Sequence, residues 1–228
     1  LRWHCPQNGI QLPATVSEAF NDYELATKIS EAMQLKVFAD IARWRAAGVA
    51  VRPVSLNVSP IEFLRDNYAE TFLQRLLKFH IPHHLIELEV TEHAFNKHGS
   101  KYVLRALHML KEMGIRIALD DFGTGHSSFS HIMDYPLDCI KLDCDFIQRM
   151  NTEPAILAIV ESIGILGQKL SIDIIAEGVE TEQQRQTLCE AGFHIGQGFL
   201  FSPAVGSQQV PTLLQAILQP AEGGTANR

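Results

Sequence analysis

The sequence predicts an α/β fold of the (β/α)8, TIM-barrel type, and three observations carry that expectation. Short apolar runs and amphipathic stretches alternate about six times at intervals of roughly thirty to forty residues, the pattern of parallel α/β proteins. The chemically active side chains Asn57, Glu89, Asp120, Asp121, Lys141, Glu177 and Gln197 fall at or near the C-terminal ends of successive runs. A barrel gathers those ends on one face, whereas a doubly wound sheet spreads them along an edge. Finally, 228 residues of which 46% are hydrophobic suffice for one large core with no second domain.

Taken in order, Leu1-Arg2-Trp3-His4 reads as the tail of a strand, so the polypeptide is expected to start late within its domain. Pro6 to Pro13 is a polar loop. From Asp22 to Ala47, Leu25, Ile29, Met33, Val37 and Ile41 recur every four residues, one face of a helix that Gly48 ends. Val51 to Val58 is a strand delivering Asn57, after which Ser59-Pro60 opens a helix predicted to reach His80. In Leu85 to Val90 the alternation places Glu87 and Glu89 on one face, with Glu92 in the loop beyond. Taken alone, that strand reads more readily as a solvated charged edge. Gly99 to Met113 is an amphipathic helix capped by Gly114.

The next strand, Ile115 to Leu119, ends in the adjacent carboxylates Asp120 and Asp121 and runs into a loop with Gly123 and Gly125. Neighbouring carboxylates repel unless a cation lies between them, and a divalent metal is the usual solution. A helix cap followed by a glycine turn would need only one of the two. Cys139 to Asp143 is a short strand carrying Lys141 among apolar neighbours. Pro154 starts a helix with Ile156, Ile159, Val160 and Ile163 on one face. Ser171 to Ala176 is a strand leading into Glu177-Gly178-Val179-Glu180, with Glu180 opening the following helix. The last unit passes through Gly196-Gln197-Gly198-Phe199 to a helix around Pro211 to Leu218. The domain is expected to span residues 1–219, with 220–228 as a disordered tail.

A net charge of −7 and a pI near 5.8 argue against polymeric nucleic acid held by charge, while a small phosphorylated ligand held through metal ions is compatible. Cys5, Cys139, Cys144 and Cys189 form no CxxC pair and read as reduced thiols of a cytoplasmic domain. No apolar run reaches the length of a membrane span and no signal peptide is visible, although a longer parent protein could be anchored elsewhere. Oxygen ligands without His or Cys at metal spacing favour Mg²⁺ or Mn²⁺ over Zn²⁺. The residues alone therefore suggest metal-assisted chemistry with Lys141 as base, positioner or charge stabiliser. Proton abstraction beside a carboxylate and hydrolysis of a phosphate ester both stay open.

Seven segments narrow the choice: Leu1-Arg2-Trp3, Asn57-Val58-Ser59, Glu89-Val90-Thr91-Glu92, Asp120 to Gly125, Lys141-Leu142-Asp143, Ala176 to Glu180 and Gln197 to Phe201. In this order they resemble the EAL-domain family of bacterial cyclic-di-GMP phosphodiesterases, from Leu1 to about Ala204. The resemblance implies a modified (β/α)8 barrel that hydrolyses cyclic di-GMP to linear pGpG with two Mg²⁺ or Mn²⁺ ions. Asn57, Glu89 and Asp120 resemble ligands of the first metal, and Asp120, Asp121 and Glu177 those of the second, with Asp120 bridging. Lys141 matches the lysine that holds the attacking water. Glu92 matches the anchor of the loop after Asp121, and Arg2 an arginine that contacts a ligand phosphate through its bidentate fork. Asp143, Glu180 and Gln197 match supporting or substrate-facing positions. Family resemblance further implies a homodimer formed near the loop after the paired Asp residues, and an upstream sensory or diguanylate-cyclase-like domain.

Three departures accompany the match. The family's Glu-Ala-Leu lies immediately before the position of Leu1, so one first-metal ligand and the opening strand are expected upstream in the parent protein. Val16 and Asn21 replace a Phe and a Glu in the family's helix-opening segment, and His126 replaces a Tyr in the loop after Asp121. These changes bear on an alternative, an EAL-like receptor that binds cyclic di-GMP without cleaving it and relays the signal to a partner.

Overall fold

The computed structural model of the chain describes residues 3–11, 13–91, 100–123 and 129–218. It opens with a hairpin in which β1 (Trp3–Cys5) pairs antiparallel with β2 (Gly9–Gln11). The sequence suggests a loop from Pro6 to Pro13, because β2 is three residues long and has no apolar alternation to betray it. Gly9, at φ 69°, supplies the left-handed backbone that closes the turn.

Six further strands follow: β3 (Val54–Val58), β4 (Ile86–Thr91), β5 (Arg116–Phe122), β6 (Cys139–Leu142), β7 (Asp173–Glu177) and β8 (Ile195–Gln197). They form one sheet in that order, and every neighbouring pair is parallel. Consecutive order is that of a barrel wall, whereas a doubly wound sheet reverses direction partway. The helices are α1 (Tyr23–Ala46), α2 (Tyr68–Lys78), α3 (Ser100–Glu112), α4 (Phe129–Asp134), α5 (Cys144–Arg149), α6 (Pro154–Leu170), α7 (Glu182–Glu190) and α8 (Val210–Leu218). None is long and apolar enough to cross a membrane, among the described residues.

Several boundaries differ from the sequence reading for local reasons. The helix expected from Ser59 to His80 is split into a 3-10 turn, Pro60–Leu64, and α2. Ser59 N–H donates to Glu62 at 3.0 Å, closing the turn, and Arg65 then adopts extended backbone. Helices α4 and α5 have six residues each, too few to show a 3.6-residue period. Glu182 opens α7 in place of Glu180, because Thr181 is the residue that caps it.

Each strand sorts its side chains by parity. Leu56, Val58, Ile86, Leu88, Val90, Ile117, Leu119, Ile140, Leu142 and Ala176 are buried with Phe38, Phe72, Leu107, Leu110 and Val160 from the helices in one core. Burying one such Leu, Ile or Phe contributes about 1.5–3 kcal/mol. The other parity carries the polar residues. Arg116 on β5 reaches Asp173 on β7 at 2.7 Å, and Lys141 on β6 reaches Glu89 on β4 at 2.9 Å. Alternate strands of a flat sheet lie roughly 9–10 Å apart. The sheet is therefore curled, and its concave side holds the polar groups.

Candidate active site

The concave side has two polar tiers, one at each end of the strands. At the N-terminal end Glu87 is 7% exposed and accepts from Ser55 at 2.8 Å, Arg116 at 3.1 Å and the Cys139 thiol at 3.4 Å. Burial and the Glu87 carboxylate push the Cys139 thiol well above the usual range. Sequence reading noted the shared face of Glu87 and Glu89 but not this tier, since a charge on an inward parity looks the same as one on a solvated edge.

The C-terminal tier collects residues from six strands. Asn57 on β3 stands in register with Glu89 on β4, and its Nδ2 donates to Glu89 Oε2 at 2.9 Å. Lys141 on β6, only 4% exposed, places Nζ 2.9 Å from Glu89 Oε1, 2.8 Å from Asp120 Oδ1 and 2.7 Å from Glu177 Oε1. Gln197 on β8 lies in register with Glu177 and is exposed.

A register shift puts both aspartates here. Leu119 pairs with Ile140 and Phe122 with Leu142, so Asp120 and Asp121 together oppose Lys141. Two residues facing one is a β-bulge, which re-aims side chains that strict alternation would send to opposite faces. Asp121 adopts φ 56°, in the left-handed region. Among the described residues, one oxygen each from Asp120, Asp121 and Glu177 lie within 4.8 Å of one another, a spacing able to hold a metal ion.

Burial raises the carboxyls of Glu89 and Glu177 above the ordinary range, and Lys141 only partly offsets this. For Lys141, burial alone would lower the ammonium pKa. The carboxylates of Glu89 and Asp120 outweigh it, with hydrogen bonds to Asp120 and Glu177, and the group is held firmly protonated. An all-oxygen donor set with excess negative charge suits a hard divalent cation.

Other site candidates fall at the rim or beyond the description. Asp143 caps α5, its Oδ1 accepting from Asp145 N–H at 2.8 Å, and Glu180 is exposed in the loop after β7. Gly198 lets that loop and the one after β8 meet. A Cβ at Gly198 would overlap the Val179 backbone, whose N–H donates to Gln197 O at 3.0 Å and whose carbonyl accepts from Leu200 N–H at 3.0 Å. Arg2, Glu92 and His126 lie outside the described residues, as does the tail from residue 219, and the Val16 side chain is likewise undescribed. Asn21 is exposed just before α1. Gln184, a buried amide beside the Glu177 loop, was not singled out from the sequence. The pattern Thr181-x-x-Gln184, a capping-box spacing, is the signal that could have found it.

Known proteins resemble the chain in sequence and in fold. The family model "EAL domain" matches residues 1–204. Cyclic di-GMP phosphodiesterase RocR of Pseudomonas aeruginosa is 33% identical over 210 residues, covering 91% of this chain and 52% of that protein. Among solved structures, the PaMucR phosphodiesterase in its c-di-GMP complex superposes with a TM-score of 0.84 at 31% identity, over 92% of this chain and 84% of that one. Klebsiella pneumoniae BlrP1, solved as a manganese/cy-diGMP complex, gives a TM-score of 0.70 at 25% identity, over 77% of this chain and 44% of its own. The chain spans between 21% and 52% of the length of the first three curated relatives it matches. The parallel order of β3 to β8, the polar tier at their C-terminal ends and a family match over residues 1–204 lead to one conclusion: this chain belongs to the EAL domain family.

Proposed function

We propose that the chain is the catalytic domain of a cyclic-di-GMP phosphodiesterase that hydrolyses one phosphodiester bond to give linear pGpG. One observation carries the reading: Glu89, Asp120 and Glu177, from three strands, converge within 2.9 Å of a single buried ammonium, Lys141. The excess of carboxylates over that one ammonium supports a cation site, and the surrounding oxygens fit Mg²⁺ or Mn²⁺. Two such ions would polarise a phosphodiester and acidify a water. Asn57, Glu89 and Asp120 would hold the first, Asp120, Asp121 and Glu177 the second.

The chain's own groups then act in fixed places. Lys141 donates hydrogen bonds to the attacking water and offsets the charge that builds on phosphorus-bound oxygens. Glu92 steadies the loop after Asp121. Arg2 grips a phosphate, while Asp143, Glu180 and Gln197 border the space where the dinucleotide lies. Residues 1–219 belong to this domain, which works as a homodimer under an upstream sensory or diguanylate-cyclase-like domain, on the cytoplasmic side.

A binding-only receptor is the second reading, favoured by Val16 and Asn21 where the family has Phe and Glu. Incubating the protein at its full natural length with cyclic di-GMP and Mn²⁺, and separating products by chromatography, decides between them. Conversion to pGpG that disappears in Lys141→Ala and Asp121→Asn supports hydrolysis. Tight binding without pGpG supports the receptor.

A further inference from the structure

The segment that follows Glu177 is tied down by side-chain amides, chief among them Gln184. Gln184, in the first turn of α7, is 6% exposed. Its Oε1 accepts from Glu180 N–H at 2.8 Å and from Thr181 N–H at 3.0 Å. On the other side, Nε2 donates to the Ile147 carbonyl at 3.2 Å and to Gln148 Oε1 at 3.3 Å, both on α5. Gln148 returns a bond to the Gly178 carbonyl at 2.9 Å. Cys144, at the start of α5, packs so close to Gly178 that a Cβ there would fall 2.6 Å from its own. Because α5 begins three residues after Lys141, the Gln184 amide, seconded by Gln148, couples the segment after β7 to the segment after β6.

We infer that Gln184 is a positioning residue for the site: by bridging these two segments it sets Glu177 against Lys141 and Asp120. The inference rests on the metal-site reading above. The partners fix the amide's orientation, since two backbone N–H groups demand its oxygen and a carbonyl demands its nitrogen. Such a fully engaged buried amide holds one arrangement. Helix capping accounts only for the bonds on the α7 side. Thr181 supplies the other half of that capping box, accepting from Gln184 N–H at 3.2 Å, so Thr181→Ala weakens the cap while leaving the bridge to α5 in place.

The test compares Gln184→Met and Thr181→Ala with the unaltered protein, by calorimetric titration with Mn²⁺ alone and by amide hydrogen exchange. Gln184→Met is expected to weaken Mn²⁺ binding about tenfold, as supporting hydrogen bonds around metal ligands do. It should also speed exchange in residues 144–149 as well as 178–181. Thr181→Ala should speed exchange only at the start of α7 and leave Mn²⁺ affinity as it was. Gln184→Met binding Mn²⁺ as tightly as the unaltered protein overturns the inference while leaving the metal site standing. No Mn²⁺ binding by the unaltered protein overturns the metal-site reading, and the inference with it.

Discussion

Asn57 and Glu89 face each other across β3 and β4, and the Asn57 amide donates to one carboxylate oxygen at 2.9 Å while Lys141 takes the other at 2.9 Å. Glu89 is thereby aimed by its neighbours on both sides. Asn57→Ala should lower Mn²⁺ affinity about tenfold, by loss of a ligand or of the aim of Glu89. Calorimetric titration reads this directly, and an unchanged affinity would remove Asn57 from the site.

Lys141→Met leaves three carboxylates around an apolar stem. Removing one partner of a buried ion cluster costs about 3–5 kcal/mol, so the metal-free variant should melt well below the unaltered protein. Mn²⁺ should restore more stability to the variant than to the parent, because a cation replaces the lost ammonium. Turnover should nevertheless stay about 10²–10³-fold down, the usual cost of removing one charge-stabilising donor. Thermal melts with and without Mn²⁺, alongside the product assay, give the comparison.

At the opposite end of the strands, Arg116→Met strips Glu87 of its cationic partner. Arg116 is 39% exposed, so the loss is expected at about 1–2 kcal/mol, below that for a fully buried pair. Mn²⁺ affinity should not change. A variant that loses both would show that the two tiers are mechanically linked.

Gly198→Ala forces a methyl into the Val179 backbone. Overpacking of this kind costs about 1–3 kcal/mol, which for a chain of this size is about 2–4 °C of melting temperature per kcal/mol. Exchange of the Val179 and Leu200 amides should rise in step.

Glu62, 4% exposed, has its carboxyl raised above 4.5, first by burial, with Ser30, the Ser59 N–H and Arg75 opposing. A carboxyl raised on folding contributes stability that is full below its unfolded pKa and is lost as pH rises through the folded value. Glu62→Gln keeps an acceptor for the Ser59 N–H and cannot ionise. Its stability relative to the parent should therefore climb as pH rises from 4.5 through the raised folded value. Denaturant titrations on either side of that window measure the slope.

The parallel alternation and the C-terminal tier were legible in the sequence because Asn57, Glu89, Asp120, Lys141 and Glu177 each lie at or near the end of an apolar run. What escaped had shorter or ambiguous signals. Arg116, Cys139 and Asp173 open their strands, where a polar residue is ordinary, and only the curl brings them round Glu87. Six residues cannot display helical periodicity, so α5 went unseen, and with it the partner of Gln184. The break between Pro60–Leu64 and α2 depends on Glu62 turning back to Ser59, a contact that competes with helix continuation and leaves no trace in hydrophobic spacing.

The left-handed backbone of Asp121 has a consequence for attempts to harden this protein. A non-glycine residue in that conformation costs about 1–2 kcal/mol relative to glycine. Asp121→Gly would relieve that backbone cost, and a variant kept for heat resistance alone would have lost one of the two carboxylates opposite Lys141. If Asp121 holds metal as proposed, stability and activity pull in opposite directions at this residue, and directed evolution of the domain needs turnover in the selection from its first round.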